Sequence, residues 1–342
     1  MNESNINSKK SIIQNIKNFK IYLNERFPLG KNSIFVLIFT LSGYIYTGLL
    51  YNSKIINQIF SKEIKVPMPW HKIVALFIII FMFFFQLRIT DEFKDYEEDL
   101  KYRAYRPVQR GIISLKTLGK IGIATVIIQI MLAHVIDPEI IYFMIFVWIY
   151  MFLMAKEFFI KKWLTKRILI YALSHVVIMV FITLVIVEAT QYIVPKNIFD
   201  VFILQRYRHN IDFALIPLFA LNYLNGIVLE IGRKTRRADE EEHGVQTYSK
   251  LWGRKKAVIV LSLLFIIEYF FVILGLAYTY KEYFFFGGLT LLVILVVSIY
   301  FMVKFLKKDL SGKIVETVSG LWIIFSSMCM GFLPYFVFSL IK

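Results

Sequence analysis

The run from Asp91 to Asp99, DEFKDYEED, holds six carboxylates in nine residues and follows directly on an apolar stretch long enough to cross a bilayer. A cytoplasmic membrane surface is anionic, so such a run is repelled there unless a cation neutralises it. Asp91, Asp95 and Asp99 recur every four residues. At about 100° per residue they drift by only about 40° per step, so all three share one helix face. That face suits Mg²⁺, which takes oxygen ligands, keeps several waters and bridges one or two carboxylates to substrate phosphates. Glu92 and Glu98 lie close enough to join the set. Arg103 and Arg106 follow within two turns and offer bidentate contacts to phosphate oxygens. Pro107 then ends the helix and Gly111 allows a turn. Carboxylates followed by Arg-x-x-Arg-Pro make a Mg²⁺–diphosphate cradle at the membrane edge. The plainer reading of the same residues is a solvated, charged helix end in which Asp99 pairs with Arg103 at i, i+4.

The elements that must position this cradle are membrane helices. The 342 residues are 58% hydrophobic and only 19% charged, which excludes disorder and is too apolar for an ordinary soluble domain. Nine stretches approach the roughly 20 residues that a spanning helix needs: Ser33–Tyr51, Ile73–Arg88, Leu118–Ile136, Ile140–Ala155, Ile168–Thr190, Phe213–Ile231, Val258–Tyr278, Tyr283–Phe305 and Val315–Ile341. The polar, basic segment 1–32 precedes the first of them and shows no cleavable signal peptide. Within it, Ile12, Ile13, Ile16, Phe19 and Leu23 recur at helical spacing with Lys between, the pattern of an interfacial amphipathic helix. Residues 1–32 are therefore read as a cytoplasmic N-terminal segment and 33–342 as one nine-helix membrane domain. The single cysteine, Cys329, excludes an internal disulfide framework.

Charge sets the orientation. Most of the forty Lys and Arg residues fall in the N-terminal segment and in the loops after the even-numbered spans. The positive-inside rule then places the N-terminus and the acidic run in the cytoplasm and the C-terminus outside. The net charge of +16 is in this light a topology signal. Because the basic residues are spread over separate segments, no nucleic-acid partner is expected. Short outer connections make spans 3 and 4, and spans 7 and 8, antiparallel neighbours. The outer segment 191–212 carries no nameable motif, and KEFFIKKWLTKR between spans 4 and 5 reads as a basic headgroup anchor. Loops 2–3 and 6–7 share a grammar, each running from a cluster of carboxylates through a glycine to a polar stretch. They lie four helices apart on one side, which suggests two half-bundles facing each other across one site.

Here the sequence resembles a family. DEFKDYEEDLKYRAYRPVQRG is similar to the first signature of UbiA-type intramembrane prenyltransferases, NDxxDxxxD followed by a basic residue, Arg-Pro and glycine. Asp95 and Asp99 match outright. Asp91 stands for the usual Asn and Glu92 for Asp, and both keep oxygen ligands. GVQTYSKLWG, from Gly244 to Gly253, looks like the tail of the second signature, whose DxxxD then falls with its second Asp on Glu240 and its first on Arg236. Glu230, Asp239, Glu241 and Glu242 are nearby acids able to substitute. Either Glu230 folds in from the helix end, or one metal cluster serves with Arg236 contacting diphosphate. On this register Glu240 matters and Glu241 does not.

The resemblance implies an all-α integral membrane protein, a bundle of nine transmembrane helices in which cytoplasmic loops 2–3 and 6–7 cap a lipid-accessible central cavity. It implies transfer of a prenyl group from a polyprenyl diphosphate to an acceptor, an aromatic or other lipid or quinone precursor, with Mg²⁺ as cofactor. The implied metal ligands are Asp91, Glu92, Asp95, Asp99, Glu230, Asp239 and Glu240, with Asp95, Asp99 and Glu240 central to catalysis. Arg103, Arg106, Arg236 and, on the substrate side, Asn225 would hold diphosphate or substrate. The partners are the two substrates and membrane lipid, in the cell membrane, with no obligate protein partner. Tyr96, Tyr102, Tyr105, Tyr223 and Tyr248 lie near enough for their faces to stabilise a carbocation. Two other readings stay open: a non-catalytic relative that binds isoprenoid lipid, suggested by Arg236, and a transporter, for which Pro217 and Gly226 would supply a broken helix. Of the intramembrane polar residues, His175 and Glu268 are the deeper and either touch substrate or pair structurally.

Overall fold

The computed structural model describes residues 3–59, 66, 69–193, 198–242, 244–279, 284–308, 310–333 and 335–336, with backbone alone at 3–12, 51–59, 192–193 and 198–212. In the order of the chain, the helices are α1 (Glu3–Arg26), α2 (Leu29–Ile59), α3 (Trp70–Lys94), α4 (Tyr96–Tyr102), α5 (Leu115–Ile136), α6 (Ile140–Ala155), α7 (Lys161–Leu164), α8 (Ile168–Val176), α9 (Ile178–Ile193), α10 (Ile198–Arg233), α11 (Tyr248–Trp252), α12 (Arg254–Thr279), α13 (Phe284–Lys307) and α14 (Lys313–Met330). Every described element is helical, as a chain in hydrocarbon requires, because a helix satisfies its own backbone polar groups.

Eight helical stretches among the described residues are long and apolar enough to span a membrane, and α6 is a ninth, shorter apolar helix of 16 residues. At about 1.5 Å per residue, α6 falls short of the roughly 30 Å hydrocarbon core. The structure thus bears out an integral membrane bundle, with the ninth span the marginal one. The C-terminal part of the last expected span, 337–341, lies outside the described residues. The outer segment 191–212, expected as a loop, is in part helix, because α10 begins at Ile198.

Burial sorts the helices. Two thirds of the span in α2 is buried, which puts it at the centre, whereas α5 and α13 bury only 22% and 28% and form lipid-facing flanks. Ile123, Ile127 and Met131 on α5, and Val293, Val296 and Tyr300 on α13, project outward. α5 packs more extensively on α3 than on its chain neighbour α6. The reason is a buried polar knot: Gln86 donates to Thr125 (2.9 Å) and Gln129 (2.6 Å), Gln129 donates to the Ile79 carbonyl (2.9 Å), and Trp148 of α6 donates to Gln86 (3.2 Å). The other expected pair, α12 and α13, packs closely.

Two breaks shape the interior. Span 168–191 is split at Val177 into α8 and α9, and two tyrosines stop the gap. Tyr150 donates to the Ser174 carbonyl (2.6 Å) and Tyr223 to that of Leu173 (3.2 Å). Pro217 lies within α10 and cannot donate a backbone N–H; beside it Tyr46 donates to the Ala214 carbonyl (2.6 Å). α1 packs on the end of the bundle that carries the acidic run: Phe19, Tyr22 and Leu23 join a cluster with Phe85, Ile89, Val108 and Leu118. Ile13 and Ile16 stay exposed. The apolar stripe seen in the sequence is thus divided between protein and surroundings, with the Ile12 side chain outside the described part.

Candidate functional site

The acidic run straddles a joint. α3 ends at Lys94, α4 begins at Tyr96, and Asp95 caps both. The backbone bonds nevertheless run on in steps of four, from Asp95 N–H to Asp91 (2.9 Å), Asp99 to Asp95 (2.8 Å) and Arg103 to Asp99 (2.8 Å). The three aspartates therefore remain in helical register across the joint, but their surroundings differ. Asp91 is partly exposed and pairs with Arg88 at 3.0 Å. Asp99 is buried and held by Arg103 at 2.6 Å and by Arg106. The Asp95 carboxylate accepts no hydrogen bond among the described residues. Its pKa is pushed up to about 6, first by burial and then by Asp91, Asp99 and Glu98, with Lys94 opposing. A group of carboxylates that raise one another in this way attracts a divalent cation.

Glu92 has another assignment. It is fully buried and bonded to Arg26 of α1 at 2.6 Å, with Arg88 at 3.6 Å. Burial and these two cations make it the anchor of α1, which leaves it poorly disposed to serve as an exposed ligand.

The second loop meets the first. Arg103 lies 3.9 Å from Glu242, and a side chain at Gly244, where φ is +78°, would collide with the Tyr102 ring. At the end of α10, Glu230 pairs with Arg233 (2.8 Å) and Lys234 (2.6 Å). Glu230 is thus neutralised by two cations of its own helix end. Glu240 does something else. Its carboxylate accepts from the backbone N–H of Gly312 (2.7 Å) and of Arg237 (3.2 Å), tying this loop to the turn before α14. Burial works against the charge, but these donors and Ser311 hold its carboxyl below the usual range. Asp239 is engaged by Arg237. Glu241, expected to be idle, accepts from the hydroxyls of Thr247 and Ser249 (both 2.7 Å). Arg236 lines an open basic groove with Arg237, Lys250 and Arg254. Tyr248 is wholly buried, whereas Tyr102 and Tyr105 are exposed.

A small apolar cleft of about 40 Å³ is lined by Phe35, Phe39, Phe84, Met179, Asn225 and Ser327. Asn225 donates to Ser327 at 3.4 Å while its own carbonyl oxygen is buried without a partner. Asn222, one turn away, bonds to Thr183 (3.0 Å). Asn225 thus sits at the hydrocarbon end of the site, below the charged groups.

Sequence reasoning missed a buried polar cluster beside Asp95. Lys94 donates to the Tyr171 hydroxyl (2.6 Å), Tyr171 donates to Glu157 (3.4 Å), and His175 stands 3.5 Å from the other Glu157 oxygen. His175 and Glu268 do not pair with each other: Glu268 accepts from Trp322, deep between α12 and α14. The sequence signals were His175, read as a deep polar residue, and one acid, Glu157, among the lysines of a loop read as an anchor.

Metal binding can be tested on these side chains. Among the described residues no three His, Cys, Asp or Glu side chains converge on a point where a cation would sit. Mg²⁺, however, needs only one or two protein carboxylates when substrate phosphates and water complete its shell. Asp95 and Asp91, one turn apart, meet that requirement, so the residues fit.

Fold and site together define an integral membrane bundle with its charged residues gathered around two facing loops at one end. The model of the UbiA prenyltransferase family matches residues 63–314, and the chain belongs to that family. Comparison with curated proteins finds no match. Solved structures do match. The apo structure of a UbiA homologue from Aeropyrum pernix K1 superposes with a TM-score of 0.59 at 13% identity, over 87% of this chain and 96% of the other. A structure concerning digeranylgeranylglyceryl phosphate synthase gives 0.54 at 18% identity, over 93% and 99%. A UbiA homologue from Archaeoglobus fulgidus, bound to GPP and Mg²⁺, gives 0.50 at 11% identity, over 87% and 99%. At such identities the likeness is one of fold.

Proposed function

We propose that this protein transfers a prenyl group from a polyprenyl diphosphate to an acceptor in the membrane, with Mg²⁺. The observation that supports the reading most is Asp95, a half-buried carboxylate that accepts no hydrogen bond among the described residues, one helical turn before Asp99, which gathers Arg103 and Arg106. Asp95 and Asp91 would hold the metal. Bound Mg²⁺ would neutralise diphosphate charge and assist its departure. Asp99 orients Arg103 and Arg106 toward the diphosphate, where charge builds as the C–O bond breaks. Glu230 sets Arg233 and Lys234 on the opposite rim, so the second loop supplies cations in place of a second pair of aspartates. Glu92, Asp239 and Glu240 hold α1 and the loops in place. The prenyl tail would lie between the helices, widening the small cleft on entry, and Asn225 offers a carbonyl oxygen to a donor group of substrate.

The acceptor in this reading is an aromatic or other lipid or quinone precursor. The protein lies in the cell membrane with its N-terminus and charged loops in the cytoplasm and its C-terminus outside. Incubation of purified protein with Mg²⁺, a panel of prenyl diphosphates and candidate acceptors tests the proposal. It predicts a prenylated product. Absence of turnover and of diphosphate binding with every donor would favour a non-catalytic isoprenoid binder.

A further inference from the structure

Loop 6–7 carries positive charge that the first motif does not engage. Arg236, Arg237, Lys250 and Arg254 line an open groove of about 830 Å³, with Asp239 and Glu241 as its acids. Both acids are engaged inside the loop: Arg237 donates to Asp239 at 2.7 Å, and Glu241 accepts from the hydroxyls of Thr247 and Ser249, both at 2.7 Å. The Arg236 guanidinium and the Lys250 ammonium have no ion pair among the described residues. Two uncompensated cations therefore line the groove.

The walls are fixed before any occupant arrives. Tyr248 N–H donates to the Lys234 carbonyl (2.9 Å), which clips the first turn of α11 to the end of α10. Arg236 N–H donates to the hydroxyl of the buried Ser249 (2.9 Å). A Cβ at Gly312 would stand 2.8 Å from both the Arg236 Cα and the Thr235 carbonyl, so the turn before α14 is pressed against the same stretch of chain. Cations on a braced backbone lose less freedom on binding an anion than cations on a free loop.

One edge of the groove opens toward hydrocarbon. Arg254 lies over the Phe305 ring, 5.6 Å from its centre, at the end of α13. The outward face of α13 leads to that end through Val296, Tyr300 and Val303, all exposed. Lys304 lies over the rings of Tyr300 (5.9 Å) and Phe301 (5.5 Å), and aromatic and basic side chains together mark the end of a membrane span. Leu251, next after Lys250, is also exposed. An occupant thus meets positive charge on one side and an apolar helix face on the other. A soluble phosphate matches only the first; a phospholipid with net negative charge matches both.

We propose that this groove binds the headgroup of an anionic phospholipid, with Arg236 and Lys250 on its phosphate and its acyl chains along α13. Arg236 is the stronger contact, because a guanidinium offers two parallel donors to phosphate oxygens where an ammonium offers a point charge. The residues of loop 6–7 that meet the first loop, Glu242 and Gly244, are not part of the lining. No step of prenyl transfer enters the proposal.

The test uses the purified full chain, stripped of lipid in neutral detergent, with phosphatidylglycerol as probe and phosphatidylcholine as the uncharged comparison, both read by native mass spectrometry. The natural sequence should retain phosphatidylglycerol in preference to phosphatidylcholine. Arg236→Gln should weaken that binding about fivefold, and Arg236→Gln with Lys250→Gln about 25-fold, at about fivefold for each cation that meets an anionic lipid. Lys116→Gln with Lys120→Gln, which removes as much charge from the exposed start of α5, should leave it unchanged. A photoactivatable phosphatidylglycerol gives a readout that needs no variant: in the unaltered protein its crosslinks should fall within 236–254 and on α13. No preference for phosphatidylglycerol, an equal loss in the α5 pair, or crosslinks elsewhere would overturn the site. Displacement of the lipid by an equal concentration of inorganic phosphate or diphosphate would overturn the lipid in favour of a soluble phosphate ligand.

Discussion

Asp95 and Asp99 are one helical turn apart and do different work. The Asp95 carboxylate accepts no hydrogen bond among the described residues, so Asp95→Asn should reduce Mg²⁺-dependent diphosphate release at least about 100-fold and leave thermal unfolding in detergent unchanged. Asp99 is buried against two arginines. Asp99→Asn should abolish release and also destabilise the fold by about 3 kcal/mol, the low end for stripping a partner from a buried ion pair. A match between the two variants in both assays would mean that the acids share one role. Charge density and four-residue spacing directly after an apolar run made the Asp91–Asp99 set legible in the sequence. The pairing of Glu92 was not legible because its partner, Arg26, is 66 residues away. Glu157 was invisible for a similar reason: a lone acid among lysines looks solvated until three left-handed residues turn it inward.

At the level of elements, α1 acts as part of the site's frame. Its docking depends on the Arg26–Glu92 pair and on the apolar cluster around Tyr22. Arg26→Ala leaves Glu92 buried with only Arg88 near it and should cost about 3 kcal/mol, seen as a lower unfolding temperature and as new proteolysis next to α1. Normal stability would show that α1 is dispensable. Loop 6–7 makes a contrasting claim. Glu240 ties that loop to the turn before α14, so Glu240→Gln should weaken stability by about 1 kcal/mol with little direct effect on chemistry. A large loss of diphosphate release at full stability would restore Glu240 as a ligand. Hydropathy located the spans well, since each needs a long apolar run. It could not show the break at Val177, which depends on Tyr150 and Tyr223 reaching across from α6 and α10. Nor could it show that α10 begins as early as Ile198.

The whole molecule is two half-bundles whose charged loops touch through Arg103 and Glu242 and through Tyr102 and Gly244. The sequence grammar of the two loops anticipated that meeting. It did not anticipate its asymmetry, with carboxylates on one side and Arg233 and Lys234 on the other. The proposed orientation rests on charge: it predicts that a tag at the N-terminus is shielded in intact cells and one at the C-terminus accessible, and the reverse would move the acidic run outside. The central claim is that this face releases diphosphate with Mg²⁺ held by Asp91 and Asp95. The measurement that tests it most directly is diphosphate release from a prenyl diphosphate by purified protein in lipid nanodiscs, titrated with Mg²⁺, for the natural sequence and Asp95→Asn side by side. Release should rise with Mg²⁺, stop on chelation and be absent from Asp95→Asn. Release that is indifferent to Mg²⁺, or equal in the two proteins, would contradict the account.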